Sequence, residues 1–263
     1  MPDPTALRDL AVSLARQAGT LLTQHRASDL EADTKTTPTD LVTVMDGAAE
    51  RLVIAGLRQA RPDDAILAEE SGVRSGIGPV RWVVDPLDGT VNYAYGIPAY
   101  GVSIAAEVSG TVVAGAVFSA LDGGTYEAVR GGGARRDGEP LRCSTATELA
   151  LSLVGTGFAY SASRRATQGA AAGKLLPRVR DIRRMGAAAL DLCAVAAGNL
   201  DAYFELGLQP WDSAAGALIA EEAGARTTTI AFDGDHIMVA AGPGVFDALV
   251  AGVRELYDVV DDI

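Results

Sequence analysis

The sequence has little cysteine, little histidine and few aromatic residues, and each shortage removes a class of function. Its two cysteines, Cys143 and Cys193, stand fifty residues apart, which excludes a disulfide scaffold and a four-thiolate zinc site. Its two histidines, His25 and His236, fall in no ligand pattern and read as surface residues. Aromatic residues make up only 5% of the chain, too few for the sugar-stacking surface that a glycosidase adds to its paired carboxylates. No apolar run approaches the ~20 residues of a membrane span, and the opening MPDPTALRDL lacks the basic-then-apolar order of a secretory signal. The expectation is a cytoplasmic protein without a membrane partner. Basic charge is scarce as well: 22 Lys and Arg face 34 acids, a formal −12, which opposes direct nucleic-acid binding. Catalytic loops of other enzymes are missing too. There is no Gly-x-Ser-x-Gly elbow, and Gly173-Lys174 is followed by leucine where a nucleotide-binding loop needs Ser or Thr.

What is present is material for a large core. The chain has 263 residues, 48% of them hydrophobic, enough for one large domain or two tightly packed halves. Apolar residues at helical spacing predict helices over 5–25 and 45–60, the second stopped by Pro62. Residues 27–43 read as polar and irregular. Short apolar runs at 65–68 and 80–84 read as buried strands that end on acids. GVSIAAEV, Ser109-Gly110 and TVVAGAVFSA read as a hairpin, with a further strand in TYEAVR. The glycine-rich stretch 131–140 reads as a connector, placing a subdomain boundary near residue 138: an N-terminal α+β half, 1–138, and a C-terminal α/β half, 139–263. In the second half strands near 151–155, 180–184, 200–205 and 236–240 alternate with helices near 163–176, 187–197, 212–223 and 244–256. That alternation predicts an α/β protein of stacked α and β layers.

Four segments gather carboxylates at strand ends or helix starts. In Trp82-Val83-Val84-Asp85-Pro86-Leu87-Asp88-Gly89-Thr90-Val91-Asn92-Tyr93 an apolar strand ends in two acids three residues apart. Pro86 fixes one backbone angle and Gly89 allows one that other residues resist, so Asp85 and Asp88 can converge on a point, as hard-cation ligands must. Free amides at Gly89 and Thr90 could face a phosphate if a helix starts there. Ala68-Glu69-Glu70-Ser71-Gly72 closes another strand. Asp40 and Asp46 are placed to cap or flank the second helix, and Asp212, two residues after Pro210, fits a helix N-cap. Alone, each segment is read most economically as an acidic turn, a strand end or a cap. Together, four or five carboxylates without a histidine or thiolate cluster favour oxygen-loving cations, Mg²⁺ before Zn²⁺. Bound cations would also answer the repulsion that so acidic a chain offers an anionic substrate.

Lys35…Asp40-Leu-Val-Thr-x-x-Asp46, Glu69-Glu70, the segment 82–93 and Trp211-Asp212-Ser-Ala-Ala-Gly216 occur in an order and spacing that resemble the signature set of the inositol monophosphatase family, over roughly residues 5–255. The segments Arg183–Leu192 and Ala202-Tyr-Phe-Glu205 are similar to bacterial inositol-1-monophosphatases. The resemblance implies an inositol monophosphatase/fructose-1,6-bisphosphatase-like fold and a phosphomonoesterase that releases inositol and phosphate from inositol 1-phosphate by activating water. It implies two or three Mg²⁺ ions held by Glu69, Asp85, the Leu87 carbonyl, Asp88 and Asp212, and water activation by Thr90 and Asp46 with Glu69 touching that network. It further implies phosphate contacts from the Gly89 and Thr90 amides, hydroxyl contacts from Asp88, Ala188 and Glu205, and Lys35 near the metal–water network. Lithium inhibition, a homodimer and a small phosphorylated polyol substrate belong to the same implication. Val91 and Tyr93 stand where the family often has Thr and Phe, and Tyr93 adds a hydroxyl beside the site. The alternatives are histidinol phosphate, fructose 1,6-bisphosphate or 3′-phosphoadenosine 5′-phosphate as substrate, or a non-catalytic partner of the transcription machinery.

Overall fold

The computed structural model describes residues 2–25, 32–34 and 41–259. Helix α1 (Pro4–Gln24) starts at Asp3, whose carboxylate accepts the Thr5 N–H at 2.9 Å, and Pro4 enters the first turn, where a missing N–H costs nothing. Leu7, Ala11, Leu14, Ala18 and Leu22 form its buried stripe. Strands β1 (Ala32–Thr34) and β2 (Leu41–Thr43) pair antiparallel within the stretch expected to be irregular. Helix α2 (Val44–Ala60) follows directly, with Met45, Ala49, Val53 and Leu57 buried.

The first large sheet is built from β3 (Ala65–Ala68), β4 (Gly72–Arg74), β5 (Val80–Asp88), then, after the short helix α3 (Thr90–Ala94), β6 (Gly101–Val108), β7 (Thr111–Ser119), β8 (Thr125–Val129), β9 (Gly133–Arg136) and β10 (Glu139–Pro140). Among the described residues the order is β10-β9-β8-β7-β6-β5-β3-β4, antiparallel except between β3 and β5. The expected hairpin turns at Ser109-Gly110, both with positive φ (51° and 79°), as a two-residue turn matched to strand twist requires. The stretch 131–140, expected as a connector, instead extends this sheet as the β9–β10 hairpin, Glu139 pairing with Arg136.

The second sheet is drawn from β11 (Leu153–Thr156), α4 (Ala162–Leu175), β12 (Asp181–Arg183), α5 (Ala188–Ala196), β13 (Ala202–Leu206), α6 (Pro210–Glu222), β14 (Arg226–Phe232), β15 (Asp235–Ala241) and α7 (Pro243–Leu256). Its order is β12-β11-β13-β15-β14 among the described residues, with β12, β11 and β13 parallel and the last two antiparallel. Strand β14 escaped sequence reading because RTTTIAF buries only Ile230 and so shows no apolar alternation. It needs none at the sheet edge.

Three apolar clusters stack these elements into five layers. Residues of α1 and α2 pack on one face of the first sheet, with Trp82 and Val84 of β5 turned toward them. Val83, between those two, faces the opposite side and packs with α5, α6, Tyr203 and Met238. The outer face of the second sheet carries α4 and α7 over Val154, Phe204 and Val239. Helices α5 and α6 are therefore a filling between two sheets, and their small residues make that possible: a Cβ at Gly216 would lie 2.8 Å from Leu192 Cβ, and one at Gly115 of β7 would lie 3.1 Å from Ala215 Cβ. Among the described residues no helix is long and apolar enough to cross a membrane.

Candidate active site

Strand β5 runs four residues further than expected, through Asp85-Pro86-Leu87 to Asp88. Asp85 faces Ser103 and Asp88 faces Gly101 on β6, so three steps on one strand match two on the other. That is a one-residue bulge, and Pro86 suits it because a bulged residue needs no ladder N–H. The extra residue matters: side chains three apart on a regular strand point to opposite faces, whereas here Asp85 and Asp88 line one cleft. Asp85 Oδ1 accepts the Leu87 N–H at 2.9 Å. Gly89, at φ +87°, then turns the chain into α3.

Thr90 Oγ1 lies 3.0 Å from Asp46 Oδ1 and 3.0 Å from the Leu87 carbonyl. Asp46 is wholly buried, and its Oδ2 accepts the Thr43 N–H at 2.7 Å and the Thr43 hydroxyl at 2.6 Å. The first is half of a capping box on α2, whose other half is the Asp46 N–H donated to the Thr43 side chain. The cap reading of Asp46 is thus realised on Oδ2, while Oδ1 is turned to Thr90. Glu69 is placed from behind by Glu50, which sequence reading overlooked. Buried on α2, Glu50 accepts the Glu70 N–H at 2.8 Å and the Ser71 N–H at 3.3 Å.

The second half meets this edge through two helix starts. Helix α5 has no side-chain cap of its own. Asp88, from the other sheet, supplies it: the Ala188 N–H donates to Oδ1 at 3.2 Å and the Ala189 N–H to Oδ2 at 2.8 Å. Ala188, expected to contact substrate hydroxyls, thus gives its amide to Asp88. Asp212, expected as the N-cap of α6, is its third residue; Gln209 is the cap and Pro210 opens the helix. Asp212 Oδ2 accepts the Gln209 N–H at 2.7 Å. Glu205, one residue before the end of β13, lines the cleft. Lys35 and Asp40 lie outside the described residues. Tyr93 is buried away from the cleft, its hydroxyl donating to the His25 carbonyl at 2.6 Å and its ring 5.0 Å from Tyr100, edge to face. The hydroxyl expected beside the site therefore closes the end of α1 instead.

The cleft has a volume of about 570 Å³. Glu69, Asp85, Leu87, Asp88, Gly89 and Thr90 line it from one side; Ala188, Glu205 and Asp212 line it from the other, together with two cations sequence reading did not single out, Arg164 and Arg184. Its electrostatics are those of acids crowded out of water. Burial pushes Asp85 well above the carboxylate range, and Glu69, Asp88 and Asp212 add repulsion. Burial pushes Asp88 up to about 7, opposed by the Ala189 and Ala188 amides and helped by Glu205 and Glu69. Asp212 rises for the same first reason and through Asp88. Among the described residues no three of these side chains already close on a single point. An open arrangement of oxygen donors, in need of positive charge, fits Mg²⁺, which takes one or two carboxylates per ion and fills its shell with waters and substrate phosphate.

The inositol monophosphatase family model matches residues 3–254. An inositol-1-monophosphatase of Mycobacterium leprae is 48% identical, over 96% of this chain and 94% of its own length. The Nus factor SuhB of Escherichia coli K12 is 39% identical over 94% and 95%. The solved structure of Mycobacterium tuberculosis SuhB superposes with a TM-score of 0.84 at 45% identity, covering 97% of this chain and 98% of that one. The stacked layers, the carboxylate cleft between them and the reach of these matches define a phosphatase with an α/β layered fold. The chain belongs to the inositol monophosphatase family, whose members are generally metal-dependent.

Proposed function

We propose that this phosphatase hydrolyses inositol 1-phosphate to inositol and phosphate with Mg²⁺ as its cofactor. The observation that carries the proposal is the meeting, in one cleft, of Glu69, Asp85, Leu87, Asp88 and Asp212, of Thr90 backed by the buried Asp46, and of Glu205 opposite them. Glu69, Asp85, the Leu87 carbonyl, Asp88 and Asp212 would hold the ions. Bound Mg²⁺ would neutralise the phosphate, acidify a water and stabilise the leaving oxygen. The protein's own part is to aim that water and hold the ester. Thr90 Oγ1 has one proton and two acceptors at 3.0 Å. Donation to Asp46 Oδ1 leaves an Oγ1 lone pair turned outward to accept from the water. As the water attacks phosphorus and the ester P–O bond breaks, the water's proton passes to Oγ1 and the Thr90 proton to Asp46, while the departing inositol oxygen takes a proton from solvent, a relay in which no side chain becomes covalently bound. Three donors from Thr43 and Thr90 hold Asp46 ready for this without reorganisation. The Gly89 and Thr90 amides would take phosphate oxygens, and Asp88, Ala188 and Glu205 would face the ring hydroxyls. Lys35 completes the proposed set beside the metal–water network.

The test is phosphate release from inositol 1-phosphate, fructose 1,6-bisphosphate, histidinol phosphate and 3′-phosphoadenosine 5′-phosphate, with Glu205→Gln as the specificity probe. Losing a charged acceptor for a polyol hydroxyl costs about 1–3 kcal/mol, so the ratio of kcat/KM on inositol 1-phosphate to that on p-nitrophenyl phosphate should fall about 5- to 150-fold. An unchanged ratio would mean that Glu205 makes no contact with the polyol. The name of the Escherichia coli relative favours a second reading, a partner of transcription factors. A metal-loaded protein that released no phosphate from any ester yet captured such a partner would favour it. A homodimer, lithium inhibition and a cytoplasmic location belong to the first reading and are checked by sizing, by titration of the assay with lithium and by fractionation.

A further inference from the structure

The carboxylate of Glu205 is held in a cradle. Tyr203, two residues earlier on the same face of β13, donates its hydroxyl to Glu205 Oε2 at 2.5 Å and is itself fully buried. Strand β11 runs parallel beside β13, with Gly155 directly opposite Tyr203. The chain then passes Thr156 and reaches Gly157 at the level of Glu205. Each glycine leaves space that its neighbour fills. A Cβ at Gly155 would lie 3.1 Å from Tyr203 Cδ2, and a Cβ at Gly157 would lie between 1.9 and 2.2 Å from the carboxyl atoms of Glu205. Neither glycine has a positive φ, so the backbone would accept alanine at both places; what forbids a side chain is the occupied space. The alternation Gly155-Thr156-Gly157 on one strand thus answers Tyr203-Phe204-Glu205 on the next, clearing one face for a ring and then a carboxylate.

We propose that Gly157 and Tyr203 are positioning residues for substrate specificity: together they fix the Glu205 carboxylate at the cleft wall so that it presents acceptors to a polyhydroxylated substrate at a set height. The inference rests on the reading that Glu205 faces the polyol. Fixing matters because a glutamate free at three torsions would lose rotamer freedom on each binding event, and that loss would offset much of the hydrogen bond it makes. Held by a buried hydroxyl on one side and by bare backbone on the other, the carboxylate meets the substrate already placed. Because the group crowded at Gly157 is the far end of a flexible side chain, Gly157→Ala moves the carboxylate and leaves the strand where it is.

The experiment measures kcat/KM on inositol 1-phosphate and on p-nitrophenyl phosphate for the Mg²⁺-loaded wild type, Glu205→Gln, Gly157→Ala, Tyr203→Phe and the double variant Gly157→Ala/Glu205→Gln. The ratio of the two values should fall about tenfold or more in Gly157→Ala and about threefold or more in Tyr203→Phe, the range set by a hydrogen bond to a charged group. The double variant should match Glu205→Gln alone, since a displaced carboxylate and an absent one cost the same contact. If Glu205→Gln lowers the ratio while Gly157→Ala and Tyr203→Phe keep it, the cradle is wrong and the polyol reading stands. If Glu205→Gln keeps the ratio, the polyol reading falls and takes the cradle's role with it. Equal losses on both substrates in Gly157→Ala would also overturn the cradle, because they would place its effect on the phosphate end.

Discussion

Replacing Asp88 with Asn should make the cation-free protein more stable while it removes nearly all activity. The wild-type carboxyl is pushed from 3.8 up to about 7 by burial, Glu205 and Glu69. That gap corresponds to roughly 4 kcal/mol of linkage. A carboxyl raised on folding keeps its proton in the native state, so the stability it contributes is complete below its unfolded value of 3.8 and lost as pH climbs through about 7. Asn has no charge to lose it by. It can satisfy only one of the Ala188 and Ala189 amides that Asp88 serves, which costs about 1–3 kcal/mol. The balance favours Asn by about 1–3 kcal/mol near pH 8, which is several degrees at roughly 2–4 °C per kcal/mol for a chain of this size. Thermal unfolding of both proteins in chelator, from about pH 5 to about pH 8, should show the variant's advantage growing with pH. Phosphate release with Mg²⁺ should fall by several orders of magnitude, because a ligand charge is gone. A variant less stable than wild type at the upper pH would refute the claim that the fold stores this repulsion. A fully active variant would refute the ligand role.

Chelation should abolish turnover and added Mg²⁺ should restore it; steady hydrolysis in exhaustively chelated protein would end the metal reading. Thr90→Val keeps volume and removes the relay hydroxyl, so kcat should drop about 100-fold or more with KM near wild type, whereas a change in KM alone would move Thr90 to substrate binding. Asp191, on α5, is buried, and its Oδ1 has no hydrogen-bond partner among the described residues. Burial, Glu205 and Asp88 push its carboxyl up to about 8. Against an unfolded value of 3.8 it therefore loses its stabilising share between about pH 4 and about pH 8, and the Tm of Asp191→Asn should gain on wild type over that range. A difference independent of pH would contradict that origin.

The carboxylate-bearing strand and both acidic helix starts were legible because local chemistry marks them: an apolar run that stops on Asp85, a proline, and a glycine where φ must be positive. The layered fold was legible from alternation in the second half. Harder to read were features that depend on partners far along the chain. Nothing near Asp88 announces that it caps a helix a hundred residues away, and nothing near Gly157 announces a carboxylate that needs its space. The bulge hid as well, since Asp-Pro-Leu-Asp reads as a turn leaving a strand when the strand in fact continues with one residue to spare. Asp46 and Asp212 looked ambiguous between cap and site, and each proves to spend one oxygen on a helix start, which leaves the other for the role proposed in the cleft. Threonines at 227–229 concealed an edge strand, and the connector at 131–140 concealed a hairpin, because neither segment buries an apolar face.

The alanine-filled middle layer has a mechanical consequence. Two sheets carry the two jaws of the cleft, and α5 with α6 is the shim that sets the gap between them. Cation bonds of ~2.1 Å tolerate errors of only a few tenths of an ångström, so the shim must be cut to that tolerance. One methyl group at Gly216 or Gly115 would thicken it where the clearance is already 2.8 or 3.1 Å. Residues outside the cleft lining thus calibrate the enzyme, and a change of rate can originate deep in the packing, far from any group at the cleft.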